Sequence, residues 1–320
     1  MSVIDENSTC GQAVCQILAK LLDDLMSNES GIRAAADIDC LHNYRVALRR
    51  ARVVVGRFRN ILPAEAASYF SSELRWLGQL TSPLRDADTQ LAALGEYRNW
   101  LPEPLSTSLE PFHDYLQLTR KSEHEKFIGV LTDSRYVLFM TYWRAFVERG
   151  PAEWNSRAWA IYTKVMREDI WRRYRKMVRR GGRIGPESPA EALHDLRKDG
   201  KKLRYLIEFL EMAAQDQETK KPLKHLRRLQ DVLGRHQDLE VHADEVLKFG
   251  EIWALRGNTS HNSFLALGFL AGRLNGLQAM ARDSFAVCFE KFSNKSGRRK
   301  FRALCKIAKA EPDVLTPVSL

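Results

Sequence analysis

Apolar residues recur at helical spacing through most of the 320-residue chain, while alternating runs bounded by turn residues are scarce. The pattern predicts an all-α fold. Helix breakers interrupt it at Ser30-Gly31, Leu62-Pro63, Ser82-Pro83, Pro102 to Pro104, Gly150-Pro151, Gly181 to Pro189 and Gly257-Asn258. The stretches between them suit helices of ordinary to generous length.

The segment from Leu41 to Leu62 is two-faced. Tyr44, Leu48, Ala51, Val55, Phe58 and Leu62 form an apolar stripe, and His42, Arg45, Arg49, Arg52 and Arg59 run along the other side at i, i+3, i+7, i+10 and i+17. At 1.5 Å of rise per residue the basic stripe is roughly 25 Å long, more track than a small anion needs. Six arginines and no acid lie between His42 and Arg59, so this face has nothing of its own to neutralise it. Surfaces that serve only solubility mix both signs.

A shift of 152 residues places His42 on His194, Arg45 on Arg197, Arg49 on Lys201, Arg50 on Lys202 and Arg52 on Arg204. The same shift carries Leu74-Arg75 onto Leu226-Arg227, Leu77 onto Leu229 and Asp86 onto Asp238. One offset held across two helices and their connection indicates a duplicated chain. Its seam falls near Gly150-Pro151, dividing it into halves 1–150 and 151–320.

The second copy is less purely basic. His194, Arg197, Lys201 and Arg204 form its stripe, but Asp195, Asp199, Glu208 and Glu211 interrupt it and can take part of the charge in i,i+4 pairs. Gly200, where the first half has Leu48, lowers helix propensity by about 1 kcal/mol and marks close packing. A third basic stretch reads Lys220, Lys221, Lys224, Arg227, Arg228 and Arg235 with only Asp231 against it. Two further clusters, Arg167 to Arg183 and Lys291 to Lys309, hold eight basic residues each and read at least as well as solvated faces.

Composition sharpens this picture. At 44% hydrophobic residues the chain can bury a sizeable core, and 50 Lys+Arg against 40 Asp+Glu leave a formal charge of +10. Such a balance points to an acidic partner. Cys10, Cys15, Cys40, Cys288 and Cys305 show no CxxC pair or zinc-ligand spacing, which fits a reduced cytosolic chain. Met1 to Asn7 lacks the features of a signal peptide, and no apolar run reaches membrane-spanning length.

Arginine predominates on the first stripe, and its planar fork matches phosphate oxygens bidentately where lysine offers a point charge. Phosphate is therefore a better fit than a carboxylate surface. His42 and His194 head the two stripes; each can protonate beside a phosphate, donate a neutral hydrogen bond, or serve packing between helices. Asp86 and Asp238 most simply orient an arginine. There is no P-loop, no compact acidic cluster and no His pair at i,i+4, so no cofactor, metal or catalytic set is expected.

The run Leu41-His42-Asn43-Tyr44-Arg45-Val46-Ala47-Leu48-Arg49-Arg50-Ala51-Arg52, followed by Leu62-Pro63, Glu73-Leu74-Arg75-Trp76-Leu77 and Leu84-Arg85-Asp86-Ala87-Asp88, resembles the CHAD family, whose name refers to histidines on an α-helical domain. Leu193-His194-Asp195-Leu196-Arg197-Lys198, Lys201-Lys202-Leu203-Arg204-Tyr205 and Leu226 to Gly234 repeat the theme. The resemblance covers nearly the whole chain and implies two related four-helix bundles with pseudo-twofold symmetry around a basic groove or pore. It implies non-catalytic binding of inorganic polyphosphate, a cytoplasmic location on polyphosphate granules, and granule proteins as candidate partners. The site carried over is His42, Arg45, Arg49, Arg50 and Arg52 with His194, Arg197, Lys201, Lys202 and Arg204; Arg75, Lys224, Arg227 and Arg228 are secondary.

Two departures stand out. Gln237 precedes Asp238 where the first half has Arg85, and Trp76 stands opposite Arg228. Some members carry a triphosphate-hydrolysing CYTH domain marked by Glu-x-Glu-x-Lys; Glu123-His124-Glu125-Lys126-Phe127 has its lysine one place early, no segment remains to house such a domain, and no hydrolase activity is expected. Alternative roles are nucleic-acid binding, weakened by the lack of stacking aromatics on the two stripes, or service as accessory to a phosphoanhydride-hydrolysing enzyme.

Overall fold

The computed structural model describes residues 4–35, 37–214, 219–255 and 260–305. Along these residues run α1 (Cys10–Arg33), α2 (Ile38–Arg57), α3 (Ala64–Leu80), α4 (Ser82–Trp100), α5 (Glu110–Val130), α6 (Ser134–Arg149), α7 (Tyr162–Gly181), α8 (Ala190–Ala214), α9 (Lys220–Ala254), α10 (His261–Ser293) and α11 (Lys295–Leu304). Single 3-10 turns precede α5 and α7. The protein is all-α as expected; the Thr9–Ile161 bridge is isolated.

Local chemistry sets many of the boundaries. Thr9 and Gln12 form a capping box at the start of α1, Asp37 accepts from the Asp39 amide before α2, and Asp133 accepts from the Arg135 amide before α6. Gly150, at φ +71°, closes α6 in the left-handed region that glycine tolerates. Two expectations shift. Ser30-Gly31 lies inside α1, because Gly31 is a packing glycine: a Cβ there would come within 2.3 Å of Cys40 Sγ. α2 stops at Arg57, leaving Arg59 beyond the helix and the basic stripe shorter at that end. Gly257-Asn258 falls outside the described residues.

The 152-residue shift maps α2 onto α8, and α3 with α4 onto α9, which runs unbroken for 35 residues. The break in the first half has a chemical cause. Pro83 supplies no amide, and Thr81 and Ser82 turn their hydroxyls back onto the Leu77 and Gly78 carbonyls at 2.8 and 3.0 Å. Arg235 stands at the matching point of α9 and keeps the helix whole. In the same way α10 continues past the position where Asp133 starts a new helix.

The seam is fastened to the N-terminus. The Cys10 amide donates to the Ala160 carbonyl at 2.8 Å, the Tyr162 amide donates to the Ser8 carbonyl at 3.0 Å, and Gly11 lies so close to Pro151 that a Cβ would meet it at 2.6 Å. One apolar core then runs through both halves, drawing on α1, α2, α3, α6, α7, α8, α11, the start of α9 and the end of α10. A second core joins α4 and α5 to the far parts of α9 and α10. Truncating a wholly buried side chain of the first core, such as Tyr44 or Trp143, removes on the order of 3–5 kcal/mol.

Candidate functional site

Burial of the apolar stripes turns the basic faces of α2 and α8 toward one another. Tyr44, Leu48, Ala51 and Val55 are buried on α2, as are Leu196, Leu203, Ile207 and Leu210 on α8. A cavity of about 470 Å³ opens between the two helices and one turn of α7. Arg49, Arg52, Val53, Gly56 and Arg57 line it from α2, Arg173 from α7, and Lys198, Lys201, Lys202 and Tyr205 from α8. Seven of these ten residues are cationic and none is acidic; Arg57 and Arg173 pair with Asp169 and Lys198 with Asp195 from outside the lining, which leaves Arg49, Arg52, Lys201 and Lys202 to face an anion.

The crowding registers on the side chains. Burial, with Arg197 and Arg49 beside it, pushes Lys201 down to about 7, although Asp238 pulls the other way. Burial and the neighbouring Arg75 lower Arg52, and burial lowers Arg197 against the pull of Asp238. His42 is held below its ordinary value by burial and by Arg85 and Arg49. Arg49 Nε and Arg197 Nε are buried and donate to no group among the described residues. Both gain if an acceptor arrives.

Other predicted residues are held by the protein itself. Arg45 donates to Thr81 Oγ1 at 2.7 Å, Ser82 Oγ at 3.1 Å and the Gly78 carbonyl at 3.2 Å, which fastens α2 to the α3–α4 corner; burial lowers it to about 10. Arg50 reaches Glu208 at 2.8 Å, where Arg204 and Arg227 also converge at 3.5 and 3.8 Å. Arg50 and Arg204 further lie over the Tyr205 ring. The basic face of α2 therefore does meet acids, but they come from α7 and α8: Arg57 pairs with Asp169 at 2.6 Å. Arg49, Arg52, Arg75, Lys201, Lys202, Lys224 and Arg228 form no ion pair with an acid among the described residues.

Duplication and divergence are both visible. Asp238 orients Arg197 at 3.5 Å, the role expected for it. Asp86 acts on Arg45 through its charge, with the direct bonds going to hydroxyls. His194 hydrogen-bonds Gln237, whereas His42 has Arg85 for a neighbour in the matching place. Gly200 is a packing glycine, since a Cβ would come within 3.1 Å of Met177 Cε and 3.4 Å of Gln230 Nε2. Lys224 and Arg228 surround His225, which also meets Lys300 at 2.5 Å on the α9–α11 side. Trp76 carries the Arg135 guanidinium 4.0 Å above its ring.

Arg57, Arg173 and Lys198 line the cavity without having stood out in the sequence. Arg57 is off the main stripe, and Arg173 sits in a cluster that reads as a solvated face. The available signal was Gly56, in the last turn of α2, whose Cβ would meet nothing within 4 Å: it leaves room in the cavity. Glu123-His124-Glu125-Lys126 belongs to α5, where Lys126 pairs with Glu123 at 2.5 Å and His124 meets the Ile32 carbonyl at 2.7 Å. Among the described residues only Glu110, His113 and Asp114 group closely enough to share a metal ion, and none of them lines this cavity. No helix among those residues is long and apolar enough to cross a membrane.

These features define a duplicated all-helical domain with an arginine- and lysine-lined cavity between its halves. The chain belongs to the CHAD family: the model described as CHAD domain matches residues 16–247. Among solved structures it is similar to the CHAD domain from the plant Ricinus communis, at 22% identity and TM-score 0.73, covering 90% of this chain and 94% of that one. It is also similar to PptA from Streptomyces chartreusis, at 15% identity and TM-score 0.70, covering 88% of this chain and all of that one. No curated protein gives a significant sequence match.

Proposed function

We propose that the protein binds inorganic polyphosphate in the cavity between α2 and α8, without catalysing a reaction on it, and that this binding holds it at polyphosphate granules in the cytoplasm. The observation that carries the reading is a lining with seven cations and no acid, four of those cations free of any acid among the described residues. Successive phosphates neutralise Arg49, Arg52, Lys201 and Lys202. Beyond the cavity, His42 and Arg85 on one side and Arg50, Arg204 and Arg227 on the other extend the track. A flexible polyanion fits such a path better than a single phosphate.

The lining offers no carboxylate to hold a metal, which supports binding without metal-assisted hydrolysis. Nucleic acid remains the weaker ligand here. The one aromatic in the lining, Tyr205, is buried beneath two guanidinium groups, so no base can stack on it.

The test is titration of labelled polyphosphate into wild type and an Arg49→Ala/Arg52→Ala/Lys201→Ala variant, with helicity followed by circular dichroism. Arg45 is left in place because it fastens α2 to α3. Affinity is expected to fall at least ten-fold with helicity intact. Unchanged affinity, equal binding of short and long chains, or phosphate release with Mg²⁺ or Mn²⁺ would each count against the reading.

A further inference from the structure

A second cationic surface lies between α7 and α11, on residues the polyphosphate reading does not use. Two adjoining cavities of about 450 and 700 Å³ share Trp171, Arg175 and Arg298. Lys176, Arg179, Arg302 and Arg172, the last paired with Asp169 at 3.0 Å, complete their charge, and no acid lines either one. Among the described residues, Arg175, Lys176, Arg179, Arg298 and Arg302 form no ion pair with an acid. From Trp171 to Arg179 the α7 edge of the groove is about 12 Å long.

The groove is built on packed aromatic side chains. Tyr174 stacks on Phe301 at 4.0 Å, meets Phe292 edge-on, and donates to the Phe292 carbonyl at 3.2 Å. Gly297 permits the sharp α10–α11 turn, since a Cβ there would meet the Phe292 carbonyl oxygen at 2.2 Å, and Asn294 caps α11. α11 is a basic amphipathic helix, yet its apolar residues Phe301 and Leu304 are buried in the core. It has no apolar face left to insert into a lipid surface.

What separates this groove from the α2–α8 cavity is Trp171. Its indole is half-buried, packs beside Tyr174 at 5.6 Å, and lines both cavities among the arginines. Inorganic polyphosphate has no use for an aromatic platform. A base does, because stacking on an indole flanked by guanidinium groups is how single strands are held without sequence preference. We infer that the α7–α11 groove is a second, separate binding site, and that its ligand is single-stranded nucleic acid, with Trp171 stacking a base and Arg175, Arg298 and Arg302 holding the flanking phosphates.

The test uses a fluorescent single-stranded oligouridylate on the full chain, with polyphosphate affinity measured in parallel. Arg175→Ala/Arg298→Ala/Arg302→Ala is expected to weaken oligonucleotide binding at least ten-fold and to reduce its salt slope, while polyphosphate binding through α2 and α8 changes less than two-fold. Trp171→Leu is expected to cost the oligonucleotide several-fold without altering polyphosphate, and bound oligonucleotide should quench Trp171 fluorescence. Three results overturn the assignment: oligonucleotide affinity unmoved by the groove variant, abolition instead by the Arg49/Arg52/Lys201 variant, or equal loss of both ligands in the groove variant with Trp171→Leu silent. The last would make the groove an extension of the polyphosphate track.

Discussion

Arg50 on α2 reaches Glu208 on α8 at 2.8 Å, and there it shares the carboxylate with Arg204 and Arg227. A single acid thus gathers cations from α2, α8 and α9 at the edge of the cavity. The arrangement stabilises the apposition of the halves and, at the same time, competes with any anionic ligand for three guanidinium groups.

Glu208→Gln should therefore move stability and binding in opposite directions. Loss of a half-buried carboxylate shared by three arginines is expected to cost about 1–3 kcal/mol, read by thermal unfolding. Polyphosphate affinity at low salt should rise, because the freed cations have only the ligand to neutralise them. A fall in affinity would show that Glu208 arranges these arginines for the ligand.

The position of Lys201 near 7 carries a pH dependence. Its folded value lies below its ordinary 10.5, so charging it is unfavourable in the folded state: the penalty is fully present below about 7 and is relieved as pH rises from there toward 10.5. Lys201→Met should remove that rise in stability with pH. Polyphosphate favours the charged form, so binding should take up protons near pH 7 and weaken as pH climbs from about 6 to 8. His42, also held low, acts in the same direction at lower pH. Calorimetry in buffers of different ionisation enthalpy reads the proton uptake directly.

Gly56 gives a way to close the cavity without touching a charge. Its Cβ position is open and it stands in the last turn of α2, so Gly56→Leu should leave the melting temperature nearly unchanged. Polyphosphate affinity should fall because the side chain enters the cavity. Retained affinity would place the ligand elsewhere on the basic surface.

At Gly200 the expectation reverses. Alanine meets only the flexible tip of Met177 and the side chain of Gln230, and its gain in helix propensity offsets the contact, so Gly200→Ala should stay within about 1 kcal/mol of wild type. Gly200→Leu, which copies Leu48 of the first half, should destabilise by about 2–3 kcal/mol by overpacking. Denaturant titration of the two variants decides this.

The helices, their buried faces, the duplication and the family were legible in the order of residues, because the 3.6-residue period and the chemistry of caps act over a few positions. The basic stripe of α2 was visible for the same reason. Which arginines of that helix are neutralised was not: Arg50 and Glu208 stand 158 residues apart, and Asp169 gathers Arg57 from another helix. Only the folded chain decided that Arg45 binds α3 while Arg49 and Lys201 stay unpaired, that Trp171 joins the arginines of α11, and that Lys201 is driven toward neutrality. Charge pairing and desolvation depend on which groups come together in three dimensions and on how much water remains between them, and neither is a local property of sequence.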